Sequence, residues 1–172
     1  WKDNNIAVIK DVYKKSALNL LLMGAFLFSV GWACIDPVLT FLPDYAYAKY
    51  VFFFLGFAKL IELSTGVNTE VIASSSKYKY NTYFNIVLAI LAIVFNFLLI
   101  SDYGILGAGI ASFLAMTIVN VIRALFLYKT YKLWPFDFAF LKAVLIVSLF
   151  IGFASVLNFN INPILEIILK FI

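Results

Sequence analysis

Lys59, Glu62 and Glu70 stand in the stretch GFAKLIELSTGVNTE, residues 56–70, with long apolar runs on both sides. Placed on one helix at about 100° per residue, Lys59, Glu62, Gly66, Thr69 and Glu70 share a sector about 100° wide. The rest of that wheel is mostly apolar, apart from Ser64, Thr65 and Asn68. A charge near the centre of a bilayer costs about 2.5–3.5 kcal/mol on insertion scales, so such groups persist where they face a bundle interior or a water-filled cavity. Two readings follow. Lys59 and Glu62, at i and i+3, could neutralise one another, with Glu70 half-solvated near an interface. Alternatively the stripe faces water inside a helical bundle, as a carrier of polar cargo requires. The second is the expectation taken forward.

Other polar groups inside apolar runs are few. Asn85 and Asn96 return to nearly the same helical face, and buried amides in lipid need partners. They either bond between helices or line a cavity. Asn120 and Arg123 lie close together near the end of a later run. Arg123, the only arginine, could snorkel to the headgroups or meet an anionic group such as a phosphate in a vestibule. Asp36-Pro37 reads as an interfacial acid beside a kink-prone proline. In YGILGAGIASFLA, residues 103–115, Gly107, Ala111 and Ala115 recur every four residues, as do Gly104, Ala108 and Ser112. Small residues so spaced let helix backbones approach closely in lipid.

For enzyme chemistry the candidates run out. The chain has no histidine and one cysteine, Cys34, in an apolar run. No HExxH, Cys/His cluster, P-loop or GxSxG appears. Glu62 and Glu70 could pair as carboxylates, a weak signal. The expectation is therefore a protein that is not an enzyme, with no catalytic residue, metal or cofactor.

The elements that must hold these residues follow from composition. Of 172 residues, 65% are apolar and 13% charged, against about 25% charged in an ordinary soluble domain. Mean hydropathy is +1.02. A soluble fold could not cover so much apolar surface, so lipid is the expected solvent and partner. The net charge of +4 is spread between apolar runs, which argues against nucleic acid. The expected fold is all-α and integral to a membrane, because closed barrels show short alternating strands instead. Five runs are long enough to span: about 17–42, 50–73, 83–100, 105–128 and 138–157. A sixth begins near Pro163 and is cut off at Ile172. The whole, 1–172, reads as one membrane domain and as a piece of a longer protein.

Short connections make consecutive spans antiparallel neighbours. Lys2, Lys10, Lys14, Lys15, Lys77, Lys79, Lys129, Lys132 and Lys142 then fall on one side, against Lys49 alone on the other. By the positive-inside rule the N-terminus and the loops at 74–82 and 129–137 are cytoplasmic. Tyrosines cluster at both expected interfaces, Tyr45, Tyr47 and Tyr50 at one, Tyr78, Tyr80, Tyr83, Tyr128 and Tyr131 with Trp134 at the other.

The run from TGVNTEVIASSSKYKYN to NVIRALFLYKTYKLWPF resembles the C-terminal half of bacterial polysaccharide flippases. These are exporters of O-antigen and capsule units, related in fold to the multidrug and toxin extrusion (MATE) proteins. The likeness lies in the asparagine-bearing third span, Tyr103-Gly104, the run Gly107-Ala108-Gly109-Ile110-Ala111, Arg123 and Trp134-Pro135-Phe136, and covers about residues 13–157. It implies one lobe of a two-lobe transporter, with the N-terminal lobe absent. It implies a polyprenyl-pyrophosphate-linked oligosaccharide as cargo, flipped across the bacterial inner membrane by alternating access for lipopolysaccharide or capsule synthesis. Lys59 and Arg123 are then candidates for the pyrophosphate. Glu62 and Glu70 are candidates for coupling to H+ or Na+. A MATE-type exporter of organic cations and a membrane enzyme of glycan or lipid metabolism stand as alternatives.

Overall fold

The computed structural model describes residues 6–156. The expected sixth span lies outside them. All regular structure among the described residues is helical: α1 Ile6–Leu39, α2 Ala48–Ser64, α3 Asn68–Ser74, α4 Lys79–Tyr131 and α5 Phe138–Val156, with a 3-10 turn at Pro43–Tyr45. Two helices, α1 and α4, are long and apolar enough to cross a membrane, and α2 with α3 makes a third crossing if the bent pair is one span.

Helix α1 is already formed at Ile6, the first described residue and well before the expected Ala17, and the buried Tyr13 and Ala17 carry its packed face toward the N-terminus. It runs through Pro37 and stops two residues later at Leu39. The 3-10 turn then carries the chain into α2.

The single helix expected over 50–73 is two helices. They meet at a bend of 47° across residues 65–67. Gly66 sits at φ +70°, a region that L side chains avoid. A Cβ there would lie 3.0–3.1 Å from the backbone and Cβ of Ala17. The hydroxyls of Ser64 and Thr65 turn back onto Ile61 O at 2.6 Å and Glu62 O at 2.8 Å, as short hydroxyl side chains do where a helix ends.

Helix α4 contains both the third and fourth expected spans. As one rod of 53 residues it would be about 80 Å long at about 1.5 Å per residue. Yet the rings of Tyr80 and Phe126 lie 4.9 Å apart and those of Phe84 and Phe126 5.4 Å apart. The chain therefore folds back on itself. The turn is Gly104, at φ 56° and ψ −134°. The two arms, residues 79–103 and 105–131, are antiparallel neighbours, as their short connection required. Gly104 was expected both in the short turn with Tyr103 and in a packing stripe; it makes the turn, in open space, and is not packed. Three residues on, a Cβ on Gly107 would collide with the Leu99 carbonyl on the opposing arm.

Packing runs α5, α1, α2 and then the second arm of α4, with α3 also against α4. Ala111 and Ala115 are fully buried in that second arm, and Gly109 lets Val51 of α2 approach. One core cluster joins Tyr13, Val71, Ile72, Phe84, Val119, Leu127 and Leu133. The other joins Ala25, Phe28, Leu60 and Val147, backed by Phe52 and Phe53. Lys14 meets Asp137 at 3.2 Å beside the first cluster, while Lys49 meets Asp36 at 2.7 Å at the far end. The start of α1, the start of α4 and the 132–137 segment thus share one lysine-rich end.

Candidate functional site

Where α2 gives way to α3, the break opens a cavity of about 300 Å³. Its polar lining is Glu62, Thr65, Asn68, Thr69, Glu70 and Asn120, and Leu20, Leu63, Gly66 and Val67 complete it. The site exists because the helix stops. A continuous α2 would have kept its backbone groups bonded internally, and no side chains would have been turned into the gap. Leu20 brings α1 to the cavity, and Asn120 brings the second arm of α4. At six residues from Lys14, Leu20 is about 9 Å inward from the lysine-rich end along α1. Two further cavities, of about 120 and 200 Å³, lie between α5 and its neighbours and are almost wholly apolar.

Four of the lining or adjoining polar residues are almost fully enclosed: Asn68 at 2% exposure, Asn120 at 3%, Thr65 at 4% and Arg123 at 6%. Tyr13, itself wholly buried, donates its hydroxyl hydrogen to Asn68 Oδ1. The Asn68 Nδ2 has no protein partner among the described residues. Arg123 donates from Nη2 to Asn85 Oδ1 at 2.6 Å, tying the two arms of the hairpin together. Its Nε is buried and has no protein partner among the described residues. Both Glu62 and Glu70 act on Arg123 electrostatically. Burying a guanidinium is costly, and the bond to Asn85 together with the pull of these carboxylates offsets part of that cost.

Lys59 stands apart. Its ammonium is 2.7 Å from Glu62 Oε2, an i, i+3 pair along α2, and its side chain is 59% exposed against 33% for Glu62. Of the five residues on the expected stripe, Glu62, Gly66, Thr69 and Glu70 surround the cavity, but Lys59 is not in its lining. The stripe is not one face of one helix: the 47° bend separates Lys59 and Glu62 from Thr69 and Glu70. Asn85 does bond between helical arms. Asn96 bonds back to Ala92 O on its own helix at 2.7 Å, and is absent from the cavity lining. Of the small residues, Gly107, Ala111 and Ala115 are buried, while Ala108 and Ser112 are half-buried.

Sequence reasoning passed over Tyr13, Thr65 and Asn68. Thr65-Gly66 followed by Asn68 is a cluster of helix-breaking types, and that signal was present. Nothing local links Tyr13 to Asn68, which lie 55 positions apart. Among the described residues no group of three His, Cys, Asp or Glu side chains could hold a metal ion. No protein-family profile, curated protein or solved structure matches the chain.

Chemically, the site is a hollow at a helix break, lined by two carboxylates and by enclosed amides of which Asn68 Nδ2 is an unpartnered donor, next to a buried cation. It can hold a polar group with hydrogens to donate.

Proposed function

We propose that this chain is one lobe of a flippase that carries polyprenyl-pyrophosphate-linked oligosaccharide units across the bacterial inner membrane, by alternating access, toward O-antigen or capsule assembly. The observation that supports a transport role is the polar cavity at the α2–α3 break. Interrupted helices are tolerated at membrane depth where they line a water-filled space, and transporters place cargo sites at such interruptions. The choice of cargo comes from the sequence resemblance. On this reading the lysine-rich end, with the start of α1, is cytoplasmic, and a second lobe faces the cavity.

One observation favours a second reading. The ionisable groups lining the cavity are both carboxylates, Glu62 and Glu70. A MATE-type exporter of organic cations needs an acidic hollow.

Deleting the gene in its host and following lipid-linked glycan separates the two. The flippase reading expects glycan to accumulate on the cytoplasmic leaflet and to vanish from the cell surface. Wild type should restore it, and Glu62→Ala at equal expression should not. Intact surface glycan together with lost tolerance to cationic drugs would transfer the chain to the exporters.

A further inference from the structure

We propose that the cavity at the α2–α3 break is a subsite for a single sugar ring and not for the phosphates of the cargo. The assignment rests on the flippase reading and divides the cargo between sites.

Three observations carry it. The first is charge. Lys59 pairs with Glu62 at 2.7 Å, and the buried Arg123 is under the influence of both Glu62 and Glu70. The formal sum is zero. A diphosphate needs uncompensated cations or several N–H donors converging on it. Here Arg123 spends one amino group on Asn85, and neither cation is in the lining. The second is hydrogen-bonding polarity. Ionised carboxylates only accept. The Thr65 hydroxyl already donates to Glu62 O, which leaves its lone pairs to accept. Hydroxyl groups donate readily to such acceptors, and the bonds to carboxylates are charge-assisted. Asn68 and Asn120, both nearly fully enclosed, add amide groups at fixed positions. The third is size. At about 300 Å³ the cavity sits at the small end of ligand pockets, so it houses one ring and leaves the rest of a chain outside. Leu20, Leu63 and Val67 give the ring's C–H face an apolar wall.

The test is protection from labelling. Thr69→Cys, in a background where Cys34 and any other cysteine of the full-length protein are replaced by alanine, places one reactive thiol in the lining. The full-length protein in lipid nanodiscs is labelled with N-ethylmaleimide in the presence of a panel of free hexoses and N-acetylhexosamines, of inorganic pyrophosphate, or of tetraphenylphosphonium. At least one sugar should slow labelling about threefold when present at about twice its Kd, and pyrophosphate should not. Glu70→Gln, an exposed and nearly isosteric change, should abolish that protection while the protein still purifies as a folded monodisperse species. Protection by pyrophosphate alone, or by nothing in the panel, overturns the sugar subsite. Protection by tetraphenylphosphonium alone overturns it as well, in favour of an organic-cation site. The leaflet assay judges the flippase reading separately: glycan that still accumulates on gene deletion keeps the function and removes only the subsite.

Discussion

Two glycines interrupt helices in this chain, and both lie at positive φ: Gly66 at +70° and Gly104 at +56°. The breaks serve opposite ends. Gly104 reverses the chain in open space, with no other atom near a would-be Cβ. Its hairpin makes two apolar arms from one run, and the turn itself carries no ionisable cluster. Gly66 bends the chain by 47° against the backbone of Ala17, inside the bundle, and every break-facing polar side chain converges there. A break at a helix end costs little, because water or headgroups satisfy the freed backbone groups. A break in the interior must be compensated by side chains, and those side chains are what make a site. The same local geometry is topology in one place and chemistry in the other.

The comparison is tested hardest at Arg123. It is the buried charge on which the Gly66 side depends, and the Gly104 turn has no counterpart. Arg123→Ala leaves Asn85 without its donor and removes a cation on which Glu62 and Glu70 act. The expected loss is about 1.5–3 kcal/mol, the contribution of a hydrogen bond to a charged group. Reversible unfolding in mixed micelles measures it. Arg123→Lys should recover part of the loss, because it restores charge but not the planar fork. A loss under about 1 kcal/mol, the scale of an exposed pair, would mean that Arg123 is solvated and that the two breaks are alike.

The glycines themselves come next. Alanine at Gly104 should cost only the strain of its backbone conformation, about 1–3 kcal/mol. Alanine at Gly66 should cost a similar strain plus about 1–3 kcal/mol for the crowding against Ala17. Parallel unfolding curves of the two variants give the difference directly. A second substitution sharpens it: Ala17→Gly should narrow the gap in the Gly66→Ala background and leave Gly104→Ala untouched. Equal losses in the two single variants would show that the contact with Ala17 does not confine Gly66.

Much of the frame was legible before any coordinate. Hydropathy alone marks helices, and apolar runs too long for one crossing announce a reversal at Tyr103-Gly104. Antiparallel pairing of the arms, and the gathering of three lysine-bearing segments at one end, follow from short connections. The site was only half legible. A helical wheel supposes that the helix continues, so it put Glu62 and Glu70 on one stripe for a reason that does not hold. They reach the same cavity because the chain bends between them. Gly66 entered that wheel as one more member of the stripe, whereas it is what ends the helix. Asn68 looked like a residue off the stripe, and Tyr13 drew no reading at all. Their bond joins α1 to α3 across 55 positions, and no periodicity within either segment encodes it.

The smallest effect is expected at Lys59. Lys59 and Glu62 form an i, i+3 pair, and the lysine side chain is 59% exposed. Such a pair contributes about 0–1 kcal/mol. Lys59→Gln should therefore leave the unfolding midpoint nearly unchanged. It should alter the cavity only by freeing Glu62, whose remaining cationic influence is Arg123. The double variant Lys59→Gln with Arg123→Lys isolates that link. If Glu62 is shared between the two cations, the pair of changes should cost more than the sum of the single ones. Strict additivity would instead make Lys59 an outward neutraliser of its own helix, with Arg123 alone balancing the cavity.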